Sequence, residues 1–352
     1  MKAVSMRQPR VVEIVEIQEP KIGPEDLLVE LRYVGLCGSD LSAYRGLSTM
    51  VTYPRIPGHE ASGIVLAKGE NVPKSMQVGS AVTILPYTSC GICPSCRLGR
   101  FNACQHNQTL GVQRDGTLAE RISVPFDKVY SSNILTLQEL ALVEPLSVGY
   151  HATNRGKVTK SDIVLVLGCG TIGLGVVAAA SHKGASVIAI DIESTKLEMA
   201  SRLGAKHTIN PKKEDVKSKI RDLTNGEEVS VAIEAVGLPQ TFRMAIEQVA
   251  FSGRVVFIGY AKEDAALQTN LIVSKELDVL GSRNSLNTFP EVIRMLEEHK
   301  LPFNKMISCV IPFRESAKAF AEWDASPQKF TKILIELPRS CDRGFFGDEQ
   351  RL

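Results

Sequence analysis

Residues 90–104, CGICPSCRLGRFNAC, hold four of the chain's eight cysteines in the spacing Cys90-x2-Cys93-x2-Cys96-x7-Cys104. Soft thiolate donors gathered in one compact loop suit a tetrahedral Zn²⁺, and four sulfur ligands leave no coordination position open. Four thiolates against one dication leave a charge of about −2, so such an ion has little Lewis acidity. The cluster is a staple for its loop, and any chemistry that needs an electrophilic metal must be held elsewhere.

A second constellation is spread over GLCGSD (35–40), PGHEASG (57–63) and VEPLSVGYHA (143–152). Cys37 and His59 are natural zinc ligands, and Glu60 or Glu144 could complete three protein ligands with a position left for substrate. Three protein ligands plus an open position is the arrangement of a catalytic zinc. Spacing alone leaves this open, because a single Cys or His in an apolar stretch is more often simply packed.

GCGTIG at 168–173 directly follows an apolar run and opens an apolar helix. In that context Gly168 permits the tight turn, Gly170 lets backbone approach a pyrophosphate, and Gly173 lets helix and strand pack closely. The free amides of the first helical turn, at Thr171 and Ile172, then face the phosphates. Asp191 ends the next apolar run, 18 residues after Gly173. A carboxylate there can accept from both adenosine ribose hydroxyls and would repel a 2′-phosphate, which favours NAD over NADP. It could instead cap the helix that begins near Ser194. Backbone around Ala235–Gly237, at a later strand end, is placed to position the nicotinamide.

The elements that must carry these residues fall into two styles. Over 1–150 the chain shows short runs broken by Gly and Pro, and Val29, Leu31 and Tyr33 alternate with Glu30 and Arg32 as in a half-buried strand. From about residue 160 the rhythm is strand, helix, strand, with apolar runs at 163–168, 186–191, 231–237, 255–259 and 277–281. Helical patterns between them close on Gly204 and Gly226. Such alternation implies right-handed crossovers and a parallel sheet covered on both faces. The rhythm lapses after about residue 285, and KILIEL (332–337) reads as a last strand.

At 352 residues, 44% apolar and 23% charged, the chain suits two soluble globular domains. A net charge of +2 offers no general attraction to nucleic acid or to an anionic membrane. The N-terminus carries Arg7, Arg10, Glu13 and Glu16 without a long apolar core, so it is not a secretory signal. No stretch approaches the roughly 20 apolar residues of a membrane span. These features point to the cytoplasm, where clustered thiols indicate metal more often than disulfides.

GHEASG, the four-cysteine loop, VEP and GCGTIG stand in the order found in the zinc-dependent medium-chain alcohol and polyol dehydrogenases, and the chain resembles that family from about residue 25 to 337. The resemblance implies an α/β protein: a GroES-like β-barrel catalytic domain (1–150 and 286–352) joined to a Rossmann doubly wound, NAD-binding domain (151–285), with the active site in the cleft between them. It implies one catalytic and one structural Zn²⁺ per chain, a small-molecule substrate, no nucleic-acid or membrane partner, and a homodimer or homotetramer. Cys37 and His59 would bind the catalytic ion, Asp40 would brace the His59 ring, and Ser39 would start the proton relay. The third ligand stays open: the alcohol dehydrogenases have cysteine where this chain has Glu144, whereas the polyol branch has glutamate at both Glu60 and Glu144. Many relatives also have histidine where this chain has Ser42, and serine is no base near neutral pH.

Within the polyol branch, CGSDLSAYRG, GSRNS and EPLSVGYHA look most like bacterial hexonate 5-dehydrogenases acting on L-gulonate or L-galactonate. Sorbitol, galactitol-phosphate and threonine dehydrogenases are the nearest alternatives. Arg283 could bind a substrate carboxylate or the cofactor diphosphate, or be a surface arginine that caps a strand end; Tyr44 and Arg45, close after Cys37, could meet substrate or merely pack. Two rival readings are a zinc-ribbon module for nucleic acid and a metal-free reductase of the same superfamily. His106, His151, His182 and His207 have no evident partner and read as structural or surface residues, with His151, close after Glu144, the one exception to expect. Cys169 reads as a small filler, Cys309 as core and Cys341, in the terminal stretch 338–352, as an exposed thiol.

Overall fold

The computed structural model describes residues 1–261 and 263–339. The tail from position 340 on, including Cys341, lies outside the described residues. The first strands in the chain are β1 (Lys2–Gln8), β2 (Val11–Glu16), β3 (Asp26–Gly35), β4 (Glu60–Lys68), β5 (Ala81–Ile84), β6 (Arg121–Pro125) and β7 (Val129–Ser131). Next come β8 (Ile163–Leu167), β9 (Ser186–Ile190), β10 (His207–Ile209), β11 (Val229–Glu234), β12 (Val249–Phe257) and β13 (Asp278–Gly281). The last two are β14 (Ile307–Pro312) and β15 (Lys332–Glu336).

Two compact units result. The first comprises Met1–Arg97, Cys104–Glu144 and the described residues from Ile307 on; the second comprises Leu98–Ala103 and Pro145–Met306. The seams expected at 150/151 and 285/286 thus fall at 144/145 and 306/307. Packing explains the shift. In the helix Val143–Arg155, Gly149 lies so close to the helix Thr171–His182 that an added Cβ would stand 2.5 Å from Val176 N. Thr288 Oγ1 donates to Ser147 O at 3.1 Å, and the helix Phe289–Glu297 buries five of its nine residues. The excursion of Leu98–Ala103 into the second unit was not foreseen.

In the first unit β14-β15-β3-β4-β5-β7 form one sheet, with β6 also pairing β3 and all ladders but β14–β15 antiparallel. Strand β3 has partners on both edges, and Glu30 is buried along with Val29 and Leu31, against the expected alternation. Leu27, Val29, Leu31, Ile84 and Phe320 are among the residues of its core.

The second unit is a six-stranded parallel sheet in the order β10-β9-β8-β11-β12-β13. Counted from β8 this is 3-2-1-4-5-6, the doubly wound order whose switch point lies between β8 and β11. Strand β10, HTI, escaped the apolar pattern because it is three residues long and two of them are polar. The helices Ser194–Arg202 and Val216–Leu223 end just before Gly204 (φ 105°) and Gly226 (φ 86°), conformations that favour glycine. No helix among the described residues is long and apolar enough to cross a membrane.

Candidate metal centres and dinucleotide loop

The sulfurs of Cys90, Cys93, Cys96 and Cys104 all lie within 4.8 Å of one another, and none is in a disulfide. Backbone amides turn toward them: Cys90 N and His106 N donate to Cys104 Sγ at 3.3 Å, and Cys93 N donates to Cys90 Sγ at 3.4 Å. Bonds of this kind favour thiolate. Ser95 and neighbouring amides bring Cys93 down to about 5, whereas burial and the adjacent thiols push Cys96 up to about 12. Four sulfurs this close cannot all ionise without a cation among them, and a dication removes that conflict. The donor set therefore fits Zn²⁺.

The second centre is built from two loops. Cys37 caps the helix Gly38–Tyr44, and Asp40, in its first turn, accepts from Cys37 N at 2.9 Å. The other oxygen of Asp40 accepts from Gly58 N at 3.3 Å, so one carboxylate ties the loop of Cys37 to the loop of His59. Glu60 opens β4 opposite Gly35 of β3; a Cβ on Gly35 would stand 2.1 Å from Glu60 Oε2, so glycine leaves the space that this carboxylate fills. As a result one ligand atom each from Cys37, His59 and Glu60 lie within 4.8 Å of one another. Glu144 is not in that group. It accepts from the hydroxyl of buried Tyr87, while Glu60 is met by the ammonium of Lys332, only 2% exposed, which also donates to Leu36 O at 3.0 Å. Neither Tyr87 nor Lys332 was singled out from the sequence.

The electrostatics follow from burial. Burial alone would lower His59, but the charges of Asp40, Cys37 and Glu144 outweigh it and hold the imidazole well above its usual range. Burial raises Asp40, with His59 opposing, and pushes Glu144 up to about 7. Tyr87 is lifted well above its ordinary value by burial and by Glu144, so it stays a donor. Asp40 acts on His59 through charge; His59 Nδ1 is buried without a hydrogen-bond partner, and so is Ser39 Oγ. A thiol, an imidazole and buried carboxylates with polar capacity unused fit a divalent cation.

Tyr44 stacks on Phe320 at 5.6 Å, and Arg45 Nε is paired with Asp324 at 2.5 Å, so both are occupied in packing. His182 lies 3.6 Å from Glu298, and His207 sits on β10.

In the second unit Gly168 turns the chain after β8 with φ 92°. A Cβ on Gly173 would meet Gly168 O at 1.8 Å, whereas one on Gly170 would meet nothing within 4 Å. The turn is thus closed where strand and helix touch and open at the helix N-cap, where free amides suit an anion such as a phosphate. Thr171 and Ile172 begin the helix. Asp191 is half-buried; its oxygens accept from Cys169 N at 2.8 Å and Glu193 N at 2.9 Å, which leaves lone pairs for a ribose. The N-cap of the helix at Ser194 is Glu193 and not Asp191. The segment Ala235–Gly237 is braced by Glu234, whose Oε1 accepts from Val236 N and Gly237 N, both at 2.8 Å. Arg283 is exposed, and Cys169 is buried inside the turn.

Residues 23–133 match the alcohol dehydrogenase GroES-like domain, and residues 171–298 match the zinc-binding dehydrogenase domain. The sorbitol dehydrogenase of Bacillus subtilis is 35% identical over 84% of this chain and 86% of its own length. This chain belongs to the zinc-type alcohol dehydrogenase family. It is an oxidoreductase of the zinc-containing alcohol and polyol group, with a GroES-like and a Rossmann-like unit. The L-galactonate-5-dehydrogenase of Escherichia coli K12 is 30% identical over 91% of this chain and 94% of that protein. An alcohol dehydrogenase of Escherichia coli CFT073 solved with NADH superposes with a TM-score of 0.88 at 29% identity, covering 96% of this chain and 99% of the other.

Proposed function

We propose that this dehydrogenase reversibly oxidises a secondary hydroxyl of a sugar acid or polyol to a ketone with NAD⁺, releasing NADH and a proton, and that its substrate is a hexonate of the L-gulonate or L-galactonate type. The observation that carries the reading is the convergence of Cys37, His59 and Glu60 within 4.8 Å, in a chain that also bears the open glycine turn at 168–173. Zinc held by Cys37, His59 and one of Glu60 or Glu144 would serve as the Lewis acid that makes a hydroxyl easier to deprotonate, and NAD⁺ would be the two-electron acceptor. Lys332 offsets the charge of Glu60, and Tyr87 fixes Glu144 by a hydrogen bond. Ser39 Oγ, buried and unpaired, is available to accept a hydrogen bond from the substrate hydroxyl and to relay its proton by giving up its own, and Ser42 can pass the proton on only through water. Asp191 favours NAD over NADP by charge.

Likeness to the L-galactonate-5-dehydrogenase supports the sugar-acid substrate, and likeness to the sorbitol dehydrogenase keeps hexitols as the second reading. Strand β13 ends its sheet with an unpaired edge and an exposed Val279, which suits edge-to-edge pairing in a homodimer or homotetramer. Unpaired thiols at the seven described cysteines suit the cytoplasm. The test is NADH production by the zinc-loaded protein with hexonates, pentitols, hexitols, sugar phosphates and threonine. The highest kcat/KM is expected for a hexonate; preference for threonine or a sugar phosphate would overturn the substrate, and activity without zinc would overturn the chemistry.

A further inference from the structure

The six residues Leu98–Ala103, which lie in sequence between Cys96 and Cys104, pack as part of the dinucleotide unit. Asn102 is the anchor of this arm and is 3% exposed. Its Nδ2 donates to Arg283 O at 2.7 Å and lies 3.1 Å from His151 Nε2. In return Asn284 Nδ2 donates to Asn102 O at 3.2 Å. The same loop is fixed at its start, where Arg155 Nε donates to Gly281 O at 3.0 Å and Ser282 N donates to Phe257 O at 2.8 Å. Asn284 has φ 52°, in the left-handed region. Asparagine adopts that conformation more readily than most residues, and the hydrogen bonds above fix the loop around it. Burial and the charges of Arg155 and Arg100 hold His151 down at about 4, so near neutral pH the ring is uncharged and Nε2 can accept from Asn102.

The loop's place in the sheet gives the clamp a purpose. The glycine turn follows β8 and Asp191 follows β9, so the pyrophosphate and adenosine ends of a dinucleotide belong to the β10-β9-β8 half of the carboxyl edge. The other half, β11-β12-β13, is left for the nicotinamide. There a cavity of about 330 Å³ has Arg100, Asn102 and Ala103 on one wall and the carboxyl ends of β12 and β13 on the other. One wall of the nicotinamide half is therefore supplied by the cysteine-rich segment.

We infer that Asn102 is a positioning residue for the cofactor: it clamps the loop Gly281–Asn284 in the shape that receives the nicotinamide half, and leaves the adenosine half unaffected. The inference rests on the dinucleotide reading above. The test uses zinc-loaded full-length protein and two ligands, NADH and ADP-ribose, which lacks the nicotinamide ring. Asn102→Ala should weaken NADH about tenfold, the scale of a lost buried hydrogen-bond pair, and leave ADP-ribose affinity unchanged. Asn284→Gly keeps the left-handed backbone, removes one contact from the loop side and should weaken NADH by about threefold with the same selectivity; it answers the question even where Asn102→Ala does not fold. Unchanged NADH affinity in the variants, or a parallel loss of both ligands, overturns the clamp. Failure of the wild-type chain to bind either ligand overturns the dinucleotide reading and takes the clamp with it.

Discussion

The two candidate metal centres of the first unit use similar donors for opposite ends. The four-cysteine centre draws all its ligands from fifteen consecutive residues and is surrounded by backbone amides. The other draws Cys37, His59 and Glu60 from two loops, with Glu144, Tyr87 and Lys332 from three further segments, and keeps Ser39 Oγ and His59 Nδ1 unpaired. A centre whose coordination is complete can only hold structure. A centre with mixed donors, buried countercharges and unused polar atoms retains capacity to bind something else. Where the ligands come from thus tells as much about purpose as which residues they are.

Substitutions should separate the two. Cys104→Ser should lower thermal stability by about 5 kcal/mol, since structural zinc binding is folding free energy, while kcat of the folded fraction stays within about tenfold of wild type. A large loss of kcat without loss of stability would break the contrast. His59→Ala should do the reverse, reducing kcat about 10³-fold, near 4 kcal/mol of barrier, with unaltered NADH affinity and one zinc ion lost from two. Lys332→Met removes one member of a buried ion pair and should destabilise by about 3 kcal/mol in thermal unfolding. Adding Glu60→Gln to that variant should restore much of the stability but not the turnover, which would place Glu60 firmly on the chemical side. Tyr87→Phe is the mildest change. Losing the hydroxyl that meets Glu144 should cost about 1 kcal/mol in kcat/KM and little stability.

Sequence spacing was most informative where function is local. The cysteine loop and the glycine turn each lie within a short span, and the steric roles of Gly168, Gly170 and Gly173 could be stated from the strand–turn–helix context alone. What the sequence left open required register. Lys332 begins KILIEL, which reads from the sequence only as a last strand, yet β15 runs antiparallel to β3 with Leu334 opposite Gly35, which carries Lys332 alongside Leu36 and onto Glu60. Tyr87 follows β5 without a local cue, because its partner is 57 residues away. Asp40 was expected to brace the imidazole ring; its two oxygens instead hold the amides of Cys37 and Gly58, a role visible only once two loops are side by side. Glu30 is buried beside Val29 and Leu31, so the alternation within β3 did not show which of its faces are covered.

The excursion of Leu98–Ala103 bears on how such a chain can be rearranged by recombination. A segment cut at Pro145 and Met306 looks like a portable cassette, but it would leave behind the six residues that cover Arg283 O. Conversely, a chimera that imports a foreign cysteine-rich loop also imports part of its neighbour's surface. Grafts between relatives should succeed when the stretch around Asn102 and the one around Asn284 are inherited from the same parent.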